Sequence, residues 1–182
     1  MDLSHRQKLL VDMPAQCDGL FNNIVFIADR KTGKSVMQIE IIMGEIEKLM
    51  SGEIARRNGK PLWISHLSNS SQTAESFREK LFHKIEEAFD TKPARDYSIE
   101  VSNGLDSSRE TFPIMVCATG LNPAHLVGTE HSAIVIDEFS GNLKNLPISF
   151  LYCQRIVFRS QPEETDNLGE TIVVDVRGNE MF

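Results

Sequence analysis

Asn23-Ile24-Val25-Phe26-Ile27-Ala28 is an almost unbroken apolar run of β-branched and aromatic residues that stops at the polar stretch Asp29-Arg30-Lys31-Thr32-Gly33-Lys34-Ser35. A run of that length, bounded by turn-forming residues, predicts a buried strand feeding a loop. The segment from Val36 to Met50 has no breaker except Gly44 and ends at Ser51-Gly52, which predicts a helix, broadly apolar at first and amphipathic later. Pro61 to Leu67 predicts a second buried strand, and the following cluster Ser68-Asn69-Ser70-Ser71 suits a helix cap. In the helix it opens, Ala74, Phe77, Leu81, Ile85 and Ala88 recur at helical steps, with charged residues between them.

Further along, Tyr97 to Ser102 alternates as a strand does, Asn103-Gly104 signals a turn, and Phe112 to Ala118 predicts a strand that Pro113 confines to a start or an edge. Ala133-Ile134-Val135-Ile136 is a continuous apolar strand closed by Asp137-Glu138, and Arg155 to Phe158 and Thr171 to Val174 predict two more. Buried strands alternating with helices imply an α/β fold, a mainly parallel sheet sandwiched by helices.

Length and composition narrow this picture. The chain has 182 residues, 41% hydrophobic and 25% charged, which fits one domain over 1–182 with a sizeable core. Its longest apolar run, Ile24 to Ala28, is far short of the roughly 18 to 20 residues that span a bilayer, so no membrane partner is expected. The N-terminus lacks the pattern of a secretory signal, and a cytoplasmic setting is the expectation. Cys17, Cys117 and Cys153 are far apart and read as reduced, buried small hydrophobes rather than a zinc site. Net charge is -7, which argues against an autonomous, sequence-indifferent DNA-binding module.

The chemistry lies in two motifs. Ala28-x-x-x-x-Gly33-Lys34-Ser35 has the spacing of a phosphate-binding loop (Walker A), with Ala in place of the first Gly, between a strand and a helix as its mechanics require. Backbone N–H groups across Ala28, Asp29, Arg30, Lys31, Thr32, Gly33, Lys34 and Ser35 would cradle the phosphates of ATP. Lys34 would reach the β- and γ-phosphates, and the Ser35 hydroxyl would ligate Mg2+. The bland alternative is a basic surface turn. In the second motif, Asp137 at the end of a buried strand would hold Mg2+ through water, as in a Walker B motif, and Glu138 would polarise the attacking water. Its alternative is a pair of solvated acids capping a strand.

With both motifs in place, the sequence resembles the ATPase domain of viral large terminase subunits, P-loop NTPases of the additional-strand, catalytic-glutamate class. Arg30-Lys31-Thr32-Gly33-Lys34-Ser35 is similar to the terminase form of the loop, and Leu62 to Leu81 to the strand and helix that follow it. Leu126 to Ser132 resembles an Arg-Gly segment of the family, with Val127 where Arg is expected. The resemblance implies that Arg30 points at the γ-phosphate, that Ser160 occupies the coupling motif, and that Gln7 reads adenine. The alternative for Gln7 is a polar residue on a terminal helix.

The resemblance also implies a function, ATP hydrolysis driving double-stranded DNA into a capsid. The implied partners are DNA, a portal protein and a small terminase subunit, the protein being a homo-oligomeric ring when active and a monomer in isolation. Its place would be the host cytoplasm at the procapsid. No nuclease domain is expected within 1–182. Two other functions stay open: the first motor lobe of a superfamily 2 helicase, and a nucleotide-binding regulatory module with little turnover.

Overall fold

The computed structural model describes residues 3–17, 20, 22–29, 32–51, 61–102, 114–120, 128–138, 153–162 and 170–177. The N-terminal helix α1 (His5–Gln16) precedes strand β1 (Asn23–Ile27), helix α2 (Lys34–Ser51), strand β2 (Leu62–Ser68) and helix α3 (Ser71–Ala88). Six strands follow: β3 (Asp90–Arg95), β4 (Ser98–Ser102), β5 (Ile114–Gly120), β6 (Glu130–Asp137), β7 (Gln154–Arg159) and β8 (Thr171–Asp175). They form one sheet in the order β3-β4-β5-β2-β6-β7-β1-β8. Pairing is parallel from β5 to β8, and β3 and β4 extend the sheet in antiparallel fashion.

Near-continuous apolar sequence makes β1, β6 and β7 two-faced strands, and both faces are buried. Ile24, Phe26, Val135, Ile156 and Phe158 point to the side carrying α1, α2 and α3, where they meet Leu10, Ile42, Ile46, Phe77 and Leu81. Phe26 and Phe158 stack there with ring centroids 5.0 Å apart. Val25, Ile27, Leu67, Cys117, Ile134, Ile136 and Val157 form the opposite core, with Trp63 and Tyr97 at its margin. No described helix contributes to this second core. Cys117 and Cys153 are buried free thiols as expected, whereas Cys17, at the end of α1, is only half-buried.

Local chemistry explains the helix starts. Ser70 caps α3 by accepting from Thr73 N at 3.1 Å. α1 opens with a capping box: Ser4 Oγ accepts from Gln7 N at 3.3 Å while Gln7 Oε1 accepts from Ser4 N at 2.8 Å. The Asn103-Gly104 turn expected after β4 lies outside the described residues. Among those residues, no helix is long and apolar enough to cross a membrane.

Two features of the sheet position everything that follows. β7 lies between β1 and β6, so the strand that feeds the predicted phosphate loop and the strand that ends in Asp137 are held apart by one intervening strand. All three run parallel and therefore end on the same side, as Ile27↔Arg159 and Asp137↔Phe158 register partners.

Candidate functional site

At the common end of β1, β6 and β7 the chain gathers side chains from three elements. Lys34, the first residue of α2, turns back over the sheet edge. Its Nζ donates to the Ala28 carbonyl at 3.3 Å, to Ser160 Oγ at 3.1 Å and to Glu138 Oε1. Glu138 follows β6 with φ of 53°. For a residue with a side chain that left-handed conformation costs about 1–2 kcal/mol. It bends the chain so that the carboxylate reaches Ser160, which donates from Oγ at 2.6 Å and from its backbone N at 3.2 Å. Glu138 N meanwhile donates to Phe158 O at 2.8 Å, tying the bend to β7.

Electrostatics follow from these contacts. Burial alone would raise the Glu138 carboxyl, but the hydrogen bonds from Lys34 and Ser160 outweigh it and hold it below the usual carboxylate range. Asp137 moves the other way. Burial pushes it up, opposed by the Gln38 hydrogen bond and the Lys34 charge and reinforced by neighbouring Glu138. Neighbouring acids with opposite shifts are what differing environments produce.

The loop itself is shaped by Gly33, whose φ of 78° suits glycine. Close approach adds a second reason: a Cβ at Gly33 would stand 2.7 Å from Gln7 Nε2. Gln7 packs against the loop from α1, its Nε2 donating to Thr32 O at 3.3 Å, and Thr32 Oγ1 donates to Asp29 O at 2.8 Å. Its amide thus serves the α1 cap and the loop at once. Ser35 is exposed in the first turn of α2. Arg30 and Lys31 lie outside the described residues, as does Val127.

Behind the loop, Asp137 Oδ1 accepts from Gln38 Nε2 at 2.8 Å, and Gln38 Oε1 faces His66 Nε2 at 3.3 Å. The sequence offers no reading of Gln38 by itself, and it leaves His66 without a partner, as a solvated or structural histidine. Their signal was a glutamine and a histidine at positions that helix and strand patterning reserve for the core. Thus Ala28, Lys34, Glu138 and Ser160 meet directly, Asp137 is beside them, Gly33 and Thr32 shape the loop, and Gln7 braces it.

A scan against protein-family models gives no match, and a search of curated protein sequences gives none either. Among solved structures, the Thermus phage P74-26 large terminase ATPase domain matches with a TM-score of 0.59 at 14% identity, over 88% of this chain and 66% of that one. The fold is that of a phage large-terminase ATPase domain. The HK97 bacteriophage large terminase matches with a TM-score of 0.60 at 14% identity, over 88% of this chain and 34% of that one. The large terminase of a thermophilic bacteriophage gives 0.60 at 11% identity, over 97% of this chain and 44% of that one. The chain therefore spans less than half the length of these last two terminases and about two thirds of the isolated ATPase domain. The terminase-ATPase fold is a P-loop NTPase fold.

Proposed function

We propose that this chain binds ATP at the loop between β1 and α2 and hydrolyses it, and that hydrolysis drives double-stranded DNA during viral genome packaging. The observation that carries the reading is the meeting of Lys34, Glu138 and Ser160 at one sheet end, with β7 between β1 and β6. A lysine, an acid and a hydroxyl from three elements converge beside a left-handed glycine and a helix N-terminus, the arrangement that receives a phosphate chain.

In this reading backbone N–H groups of the loop bind the phosphates. Lys34 exchanges Glu138 and Ser160 for the β- and γ-phosphates, a change of one charge-assisted partner for another. Glu138, once released, accepts the proton of the attacking water. Ser160 stands where the presence of a γ-phosphate is felt through both Lys34 and Glu138, and Arg30 adds positive charge to the transferring group. Gln7 reads adenine with the hydrogen and lone pair its cap and loop contacts leave over. Ser35 and Asp137 fit Mg2+, which retains several waters and takes one or two protein oxygens alongside substrate phosphates. The cation would neutralise charge developing on the phosphate oxygens.

The DNA, portal and small-subunit partners, and the ring of copies, rest on the terminase-ATPase fold and the sequence resemblance. With a net charge of -7, the isolated protein is expected to hold duplex DNA weakly at near-physiological salt. The test is titration with a fluorescent ATP analogue, then phosphate release with and without Mg2+ and duplex DNA. Mg2+-dependent release is expected, and a folded protein with neither binding nor release removes the reading. Binding without release would favour the nucleotide-binding module, for which the engagement of Glu138 by Lys34 and Ser160 already speaks.

A further inference from the structure

Two buried polar residues have been given no part in the proposed chemistry. Gln38 is completely buried on α2, one turn beyond Ser35, and residues three apart share a helix face. His66 is completely buried on β2 and lies flat on Phe77 of α3, ring centroids 3.6 Å apart and planes 11° from parallel. Burial lowers its pKa to about 3, so the ring is neutral and carries a single N–H.

The polarity of the chain is then read from its carboxyl end. Gln38 Nε2 lies 2.8 Å from Asp137 Oδ1 and donates to it, so Gln38 presents its NH2 group to Asp137. That orientation turns the Gln38 carbonyl oxygen toward His66, so His66 Nε2 carries the hydrogen and donates at 3.3 Å. His66 Nδ1 is left as an acceptor, 3.5 Å from the Ser68 hydroxyl. A flipped Gln38 amide would put oxygen against oxygen at Asp137. The Asp137 contact therefore selects the orientation of the amide, and neutral His66 completes it by taking the tautomer that donates from Nε2.

We propose that Gln38 is a positioning residue for Asp137, steadied in its donor orientation by a hydrogen bond from His66, so that Asp137 and Ser35 are referred to the same turn of α2. The inference rests on the reading of Asp137 and Ser35 as the cation-binding pair. Asp137 is the last residue of β6, its backbone still in register with Phe158 and Ser68, so side-chain rotation is the freedom left to the carboxylate, and a fixed donor on one oxygen sets the position of the other. Because the donor belongs to the helix that carries Ser35, hydroxyl and carboxylate keep their spacing if α2 shifts against the sheet. The stack on Phe77 makes α3 part of the same support.

The experiment compares wild type, Gln38→Leu, Gln38→Glu, His66→Phe and His66→Gln. Its readout is the Mg2+ concentration giving half-maximal enhancement of fluorescent-ATP binding, with binding in EDTA and the melting transition as controls. Gln38→Leu should raise that concentration by about tenfold or more, the usual cost of losing an outer partner of a metal ligand, and leave binding in EDTA unchanged. Gln38→Glu, which sets acceptor against acceptor, should do the same. His66→Phe keeps the stack and removes the donor, giving a smaller rise, and His66→Gln, which restores an N–H at similar reach, should reverse most of it. An unaltered Mg2+ midpoint in a folded Gln38→Leu protein overturns the inference and makes Gln38 a satisfied core amide. If Gln38→Leu does not fold, the histidine pair decides, and equal midpoints for His66→Phe and His66→Gln overturn it. A wild type whose nucleotide binding ignores Mg2+ brings down the cation-site reading itself, a different result from a Mg2+-dependent wild type with indifferent variants.

Discussion

Two polar networks leave the first turns of α2, and they differ in nearly every physical respect. The front one, Lys34 with Glu138 and Ser160, is charged, partly open to solvent and built at a strained residue. The rear one, Gln38 with His66 and Ser68, is neutral beyond Asp137, sealed from water and stacked on an aromatic ring. A charged, half-exposed cluster can trade partners because water and an incoming anion compensate whatever is released. A buried neutral chain cannot, since each lost bond leaves an unsatisfied group in the core. The front network is therefore the one that an anion can rearrange, and the rear network the one that resists rearrangement.

The most drastic way to sharpen this contrast is Lys34→Ala. Removing the cation that bridges loop, acid and hydroxyl should weaken binding of a fluorescent ATP analogue severely and cut phosphate release by about 10²- to 10³-fold or more. The melting temperature should change little, because the pair is not core. A large loss of stability with intact nucleotide affinity would show the front network to be structural.

Glu138→Gln tests the front from the other side. Shape is kept and the proton acceptor removed, so ATP should bind and turnover should fall by about 10²- to 10⁴-fold. Wild-type rates in single-turnover phosphate release would return the water-activating role to another acid.

Acid titration separates the networks by window. His66, with a pKa near 3, and His131, lowered by burial to about 4, bind protons more readily unfolded, where the usual value is about 6.5. Stability should therefore fall as pH drops from about 6.5 toward 4, with a slope approaching about 1.4 kcal/mol per pH unit for each histidine. Glu138, held low, contributes stability that persists above its unfolded pKa and disappears only in more acid solution, as pH falls through its folded value. Urea melts at stepped pH measure this. His66→Phe should remove its share of the first slope, and an unchanged slope would mean that His66 takes a proton without unfolding.

The smallest effect is expected at Gly44, on the same helix but outside both networks. A Cβ there meets nothing within 4 Å. Gly44→Ala should stabilise the protein by about 0.5–1 kcal/mol in a denaturant melt and leave nucleotide binding alone. Altered ATP affinity would show that bending of α2 reaches both networks.

How much of this the sequence disclosed depends on the range of the forces involved. Ile24 to Ala28 and Ala133 to Ile136 were legible as strands because burial on both faces demands an apolar run, a purely local signature. The helix around Phe77 was legible through its period. β3 was not: Asp90 to Arg95 is polar, contains Pro93 and is a strand only by virtue of pairing with β4. α1 was legible only as the terminal helix that would carry Gln7; its capping box of Ser4 and Gln7 and the Pro14 inside it are findings of the structure. Of the site, the loop and the two acids were visible as spacing. Gln38 and His66 were not, because a buried polar residue declares its purpose only through a partner, and theirs are distant in sequence.

Those separations bear on how the protein is made. Asn23 and Thr171, paired across β1 and β8, are 148 residues apart, and the contacts of Lys34 with Glu138 and Ser160 span 104 and 126. On a ribosome, strand β1 emerges well over a hundred residues before the strands that flank it and waits on the order of ten seconds for them. Until then its four apolar residues and the apolar face of α2 have no permanent cover, and pairing so remote in sequence is intrinsically slow. The segment that holds the loop between β1 and α2 is thus synthesised long before it can acquire its structure, which makes nascent β1 and α2 the natural clients of a chaperone.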